Sequence, residues 1–268
     1  MIIFFDMSYL IFYRYYALLN WYKLAKSDIP IDVPLIKSEE FINKFTDIFN
    51  KNINKLIKLH KPNDSITNTD KFRVIFAQDC SRCDIWRIKH YPKYKQNRDY
   101  TNFIGKSIFP IAIEIINKLC KENNEYSLIK CENCEGDDIV AVVSKYFKDE
   151  EQIIYTSDHD YLQLIRPNIS IFDLKGKNIG EKSIGDAEKD LILKILIGDK
   201  SDNIQSVKYR LGIKTALKII NNKDKLNKLL NDEDIKKKYE LNKLLIDFNM
   251  IPNELIIKIK ELIISLKI

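Results

Sequence analysis

The stretch CEGDDIVAVV, Cys134 to Val143, sets Glu135, Asp137 and Asp138 directly before a run of Val and Ile. Carboxylates this close repel one another unless water, hydrogen-bond donors or metal ions neutralise them. Further acids recur in a similar setting: Asp6 after IIFF, Asp79 after FRVIFAQ, Asp158 and Asp160 in SDHD after QIIYT, and Asp199 and Asp202 in IGDKSDNIQ. Any one of them is ordinarily a helix cap, stabilised by the helix dipole and free amides by about 0.3–1 kcal/mol. Taken together, and without a matching set of histidines, they are hard oxygen donors of the kind that hold Mg²⁺ or Mn²⁺ rather than zinc. A cluster this large suits two ions about 3.5–4 Å apart.

For such acids to meet, the fold must gather them. The apolar runs at 2–5 and 72–78, with YSLIK at 126–130 and QIIYT at 152–156, read as buried strands. Helical periodicity near 8–25, 37–60, 103–121 and 136–148 alternates with them, which predicts an α/β fold: a twisted, mostly parallel central sheet with helices on both faces. Ligands of such sheets bind beyond the carboxyl ends of the strands, where these acids fall. After about residue 186 the pattern is wholly helical, so the expected division is a catalytic core over 1–185 and a helical region over 186–268 packed on it. The closing PNELIIKIKELIISLKI has too broad an apolar face for a simple surface helix and reads as a packing helix.

The totals are compatible with this. A chain of 268 residues with 45% hydrophobic content can bury a real core, and a net charge of +6 matters only if acids and bases are segregated. The opening MIIFF lacks a basic leader and nothing reaches the length of a membrane span, so an intracellular, non-membrane protein is expected. Five cysteines suggest thiols rather than bridges. Cys80 with Cys83 and Cys131 with Cys134 form two C-x-x-C pairs. They are further apart than the usual zinc-ribbon spacing of about 15–20 residues, yet each pair adjoins a strand end. Structural Zn²⁺, a redox-sensitive thiol set and buried small hydrophobes are the readings left open.

DMSYLIF, FAQD, YPKYKQNR, CEGDD, TSDHDYLQL and GDKSDNI stand in the order and approximate spacing of the flap endonuclease and 5′–3′ exonuclease family, from about residue 2 to about 225. The chain resembles most the bacteriophage 5′-nucleases and the nuclease domain of bacterial DNA polymerase I. The resemblance implies a PIN-like 5′-nuclease fold with a helical arch, here about 82–105, and a two-metal phosphodiesterase. Asp6, Asp79, Glu135, Asp137 and Asp138 match the first-metal side; Asp158, Asp160, Asp199 and Asp202 match the second, with Asp138 between the two. Two Mg²⁺ ions, for which Mn²⁺ can substitute, are the implied cofactors. The implied substrate is DNA with a 5′ flap, a 5′ overhang or a nick, cut by a monomer.

RCDIWRIKHYPKYKQNRDY, Arg82 to Tyr100, concentrates basic and aromatic residues just after Asp79. By itself it is a solvated Lys-rich loop; beside a metal site that cuts an anionic polymer it can bind phosphates and stack on bases. By resemblance, Lys95 and Arg98 contact the scissile phosphate and Tyr94 is a stacking candidate, while Arg87, Lys89 and Lys93 grip substrate or are merely solvated. Phe12 stands where the family places a base-stacking aromatic; the alternative is a core aromatic of the first helix.

SVKYRLGIKTALKII, Ser206 to Ile220, resembles the family's helix–hairpin–helix, which holds duplex DNA and often a K⁺ ion. Only Gly212 of its glycines is recognisable, Arg210 stands at another, and one residue is extra. Lys208, Arg210, Lys214 and Lys218 are the expected duplex contacts; the departure leaves K⁺ open. Two rival functions stand beside the nuclease: a non-catalytic nucleic-acid scaffold of the same fold, which the intact acids oppose, and a PIN-type ribonuclease, which does not account for arch and hairpin together.

Overall fold

A computed structural model describes residues 1–61, 72–101, 103–266 and 268. Strands β1 (Ile2–Asp6), β2 (Arg73–Gln78), β3 (Tyr126–Lys130), β4 (Gln152–Tyr155) and β5 (Ile169–Phe172) form one sheet in the order β3-β2-β1-β4-β5. Every neighbouring pair is parallel. The edge strand β5 was not anticipated, because ISIF is too short to stand out among Ile-rich segments.

Between and after the strands lie α1 (Met7–Ala25), α2 (Val33–Lys37), α3 (Glu39–Lys58), α4 (Trp86–His90), α5 (Ile108–Glu122), α6 (Gly136–Tyr146), α7 (Ala187–Ile197), α8 (Ile213–Ile220), α9 (Lys223–Leu230), α10 (Glu233–Ile246) and α11 (Asn253–Ser265). Successive strand residues point to opposite faces. Ile3, Phe5, Val74, Phe76, Ile153 and Tyr155 therefore pack under α1, α3 and α5. Ile2, Phe4, Ile75 and Ile154 meet α6 and α11 on the other side. In α3 the stripe Phe41, Phe45, Phe49, Ile53 is buried, and the helix starts where the Ser38 side chain accepts from Phe41 N. Leu255, Ile259 and Ile263 of α11 are buried, so the C-terminal segment is the packing helix its pattern predicted. Among the described residues no helix is long and apolar enough to cross a membrane.

The chain leaves β1 for β2 and β3 on one side and later returns to pair β4 on the other. This reversal opens a crevice at the carboxyl ends of β1, β2 and β4. The helical region closes it. Ile85 and Tyr94 share a small core with Ile195, Ile204, Leu245 and Ile246. Asn242, on α10, donates to the carbonyls of Ile195 and Gln205.

Candidate metal centre and nucleic-acid interface

Asp6 ends β1 and caps α1: its Oδ1 accepts from Tyr9 N at 3.0 Å and its Oδ2 from Thr156 Oγ1 at 3.1 Å. Asp79 follows β2, where Oδ1 accepts from Gly136 N at 2.6 Å and the Ser8 hydroxyl donates to Oδ2. Gly136 allows that approach, since a Cβ there would lie 3.1 Å from the Ala77 carbonyl oxygen and 3.2 Å from Asp79 Oδ1. Glu135 and Asp138 form a reciprocal capping box at the start of α6. Asp158 caps the 3₁₀ turn His159–Leu164 by accepting from Asp160 N. Capping and site geometry thus coincide: the same hydrogen bonds that start the helices and turns fix these carboxylates at the crevice.

A cavity of about 260 Å³ lies where Asp6, Asp79, Glu135, Asp137 and Asp158 converge. Burial, then the neighbouring charges of Asp79 and Asp158, push the Asp6 carboxyl up to about 7. Burial, reinforced by Glu135 and Asp138, holds Asp137 well above the usual carboxylate range. Among the described residues no basic side chain ion-pairs with Asp6, Asp79, Asp137 or Asp158. Uncompensated oxygen donors whose ionisation is opposed by each other are the environment a hard dication relieves, so the residues present fit Mg²⁺ or Mn²⁺.

Asp160, Asp199 and Asp202 bring their oxygens together in a second group. Its loop is pinned by the mutual backbone bonds of Asp199 and Ile204, at 2.9 and 2.7 Å, and by Gly198 at φ +71°, where a Cβ would run into the Ile204 carbonyl. Lys194, on α7, contacts Asp160 and lies 2.8 Å from Asp199 Oδ2. Burial alone would raise Asp199; Lys194 and Ser201 outweigh it and hold the carboxyl down at about 2.

The basic stretch expected as an arch is the 3₁₀ turn Arg82–Asp84, the short α4 and a series of turns, with Asn102 outside the described residues. It lies across the crevice and is tied to the second acidic loop: Lys95 N donates to the Asp202 carbonyl at 2.9 Å and Asn203 Nδ2 to that of Lys93 at 2.8 Å. Lys95, at φ +54°, turns its ammonium onto Glu135 and toward Asp202, and the Arg98 guanidinium pairs with Asp202. Both line the same cavity as the carboxylates, so the two expected phosphate contacts sit at the site. Lys89 and Lys93 are exposed.

Two expectations for this stretch are corrected. Arg87 is neither substrate-gripping nor solvated: it is 1% exposed, with both terminal nitrogens on Asp138 at 2.8–2.9 Å, one also on Glu135 at 2.9 Å, and Nε donating to the Leu245 carbonyl at 2.7 Å. Two acids buried without a cation would be severely destabilising, so the nearest arginine is drawn inward. Tyr94 is not available for stacking, being 3% exposed, with its hydroxyl 3.0 Å from Glu135 Oε2 and 3.2 Å from Asp202 Oδ2. Asp138 itself is fully buried, and Trp86 Nε1 adds a further donor at 3.0 Å. Sequence reasoning missed Trp86 and Lys194; a Trp after a 3₁₀ turn and one Lys among many carry no distinguishing signal.

Phe12 is partly buried among Tyr16, Tyr100, Phe103 and Phe109, so it is an aromatic-cluster residue. It also lines the site cavity and an adjoining one of about 390 Å³. In the hairpin, Arg210 occupies the left-handed region at φ +57°, so the chain keeps the bend expected of a glycine without having one. Lys208, Arg210, Lys214 and Lys218 are all exposed. Of the two cysteine pairs, Cys83 is exposed while Cys131 and Cys134 are buried, and among the described residues the groups at ligand spacing are carboxylates. Burial, with Glu135 and Asp79 nearby, pushes the Cys80 thiol up to about 12.

Residues 1–191 match the 5′–3′ exonuclease N-terminal, resolvase-like domain. Ribonuclease H of Enterobacteria phage T4 is 29% identical over 205 residues, 68% of this chain and 67% of that protein. A 5′–3′ exonuclease of Mycoplasmopsis pulmonis is 29% identical over 154 residues, 54% of this chain and 50% of its own length. Among solved structures, the bacteriophage T5 D15 flap endonuclease, in a complex with DNA and metal ions, superposes with a TM-score of 0.64 at 18% identity, covering 99% of this chain and 98% of that one. Since the domain match spans residues 1–191 and includes the crevice acids from Asp6 to Asp160, the chain belongs to the 5′–3′ exonuclease family of phosphodiester-hydrolysing nucleases.

Proposed function

We propose that this protein is a divalent-metal-dependent, structure-specific 5′ nuclease that hydrolyses DNA at 5′ flaps, overhangs and nicks, acting as an intracellular monomer. The observation that carries the reading is the convergence of Asp6, Asp79, Asp137 and Asp158 on one cavity, unpaired among the described residues and rimmed by Lys95 and Arg98. Relatives named 5′–3′ exonuclease, and a neighbour crystallised with DNA and metal ions, support it. Asp6, Asp79, Asp137 and Asp158 would hold one ion, and Asp160, Asp199 and Asp202 a second. An ion held there would supply a water of lowered pKa for attack and positive charge to the phosphate.

The chain's own residues do the rest. Lys95 and Arg98 leave their carboxylate partners for the scissile phosphate, stabilising the charge that grows on it. Ser8 and Gly136 hold Asp79, and Thr156 holds Asp6, so that the ligands stay aimed when the strand enters. The exposed basic hairpin grips the duplex through its phosphates.

The test is cleavage of a labelled 5′-flap duplex in Mg²⁺, in Ca²⁺ and in EDTA, with Asp158→Asn/Asp160→Asn alongside. Cleavage in Mg²⁺ alone, lost in the double variant with binding retained, is expected; wild-type turnover by the variant overturns the proposal. The T4 relative's name, ribonuclease H, favours a second reading in which an RNA strand is cut. Equivalent DNA and RNA flaps run side by side separate the two.

A further inference from the structure

The two acidic groups of the crevice differ in how their charge is balanced. Around the cavity of about 260 Å³, none of Asp6, Asp79, Asp137 and Asp158 is ion-paired among the described residues; their partners are Tyr9 N and Thr156 Oγ1 on Asp6, Ser8 Oγ and Gly136 N on Asp79, Asp138 N on Asp137, and Asp160 N on Asp158. The other group already holds cations supplied by the chain. The Lys194 ammonium bridges Asp160 and Asp199, while Arg98 pairs with Asp202 and Lys95 lies 3.6 Å from it. Lys194 is not a surface lysine resting on an acid. Its side chain is 19% exposed, its partners 11% and 16%, and it rises from α7, whose last turn leads through Gly198 directly into the acidic loop.

Resting on the two-ion reading, we propose that Lys194 is a tethered cation that occupies the place of the second ion, so that the two metal positions fill unequally. The first ion enters among Asp6, Asp79, Asp137 and Asp158, none of which is ion-paired among the described residues, while Lys95 and Arg98 on the rim are held by Glu135 and Asp202. The second must evict an ammonium from between two of its own ligands, and its affinity is reduced by that displacement. Coulomb attraction at about 3 Å is strong even in a partly screened crevice, so the handicap is about tenfold or more. Lys182 supplies the control. It is exposed, lines the same neighbouring cavity of about 290 Å³ as Lys194 and Asp160, and contacts His159 at 2.7 Å rather than a carboxylate. Removing it subtracts a nearby charge without freeing a ligand.

The experiment is Mn²⁺ titration of the full chain without nucleic acid, reading free Mn²⁺ by electron paramagnetic resonance. Wild type, Lys194→Met, Lys194→Gln and Lys182→Met are compared, with thermal melts confirming that each is folded; two replacements at 194 guard against one failing to fold. Wild type is expected to hold one ion tightly and a second at least about tenfold more weakly. In both Lys194 variants the second ion tightens by about that factor, whereas Lys182→Met leaves it unchanged. Adding Asp199→Asn to Lys194→Met removes the gained affinity. Two ions of equal affinity in wild type, an unaltered or weakened second ion in the Lys194 variants, or an equal gain in Lys182→Met would overturn the inference while leaving the two-ion reading intact. Failure of wild type to bind any Mn²⁺ would overturn both.

Discussion

Replacing Arg87 by Met is the most demanding test of how the site is held together. The guanidinium is 1% exposed and its partners Glu135 and Asp138 are 3% and 0% exposed, so nothing from solvent can replace it without opening the core. Deleting one partner of a buried ion pair costs about 3–5 kcal/mol, chiefly because a charge is stranded. The Leu245 carbonyl loses its donor as well, worth about 1–3 kcal/mol if left unsatisfied, though the two losses overlap because both relax together. Arg87→Met should therefore lose about 4 kcal/mol, or about 10 °C in melting temperature. The loss depends on pH in a definite direction. In the native protein burial would raise Glu135, but Lys95 and Arg87 outweigh it and hold the carboxyl below its ordinary value. Its contribution is thus present at neutral pH and fades as pH falls through the folded value. Without Arg87, Glu135 keeps Lys95 but loses part of what offsets its burial, so its carboxyl moves up and the variant loses less at pH 5 than at pH 8. Urea unfolding of wild type, Arg87→Met, Asp138→Asn and the double variant at both pH values measures this, and the cycle should give a coupling of about 2 kcal/mol or more. A loss below 1 kcal/mol, or one that does not change with pH, would refute the claim that Arg87 neutralises these acids.

Lys95→Ala and Arg98→Ala should each lower single-turnover cleavage of a 5′ flap by about 10²-fold with little change in duplex affinity, whereas Lys214→Ala should weaken binding and flatten its salt dependence by about one unit. Wild-type rates in both arch variants at saturating enzyme would reduce the basic stretch to a bystander. Because the folded Asp6 carboxyl titrates at about 7, above its ordinary 3.8, the metal-free protein should lose stability as pH rises between those values. The rise in melting temperature produced by Mg²⁺ should then grow over the same window; a Mg²⁺ effect independent of pH would contradict that. Gly198→Ala should destabilise the protein by about 2–4 kcal/mol, since φ +71° disfavours a side chain and the new Cβ meets the Ile204 carbonyl. An alanine variant that melts with the wild type would show that the acidic loop is not held as described.

Much was legible from residue order alone, and for a physical reason. Buried parallel strands read as apolar runs, and each acid sits just past such a run or at the start of the helix that follows it, so the topology rule for open sheets carries Asp6, Asp79, Asp137 and Asp158 to one edge without any coordinates. The motif spacing likewise marked the family. The charge partnerships were not legible. Arg87, Lys95, Arg98 and Lys194 are four of 44 basic residues. For Arg87, Lys95 and Arg98, which of them turns inward depends on contacts across roughly 40 to 160 positions, such as Arg87 with Asp138 and Leu245, or Arg98 with Asp202. Local propensity gives long basic side chains the same solvated reading everywhere. Only when the helical region closes over the crevice does desolvation make unpaired acids costly enough to draw specific cations in. That closure decided that Tyr94 is buried rather than stacking, that Asp138 is tied to Arg87 and Trp86, and that one acidic group carries a lysine while the other is left open to an ion.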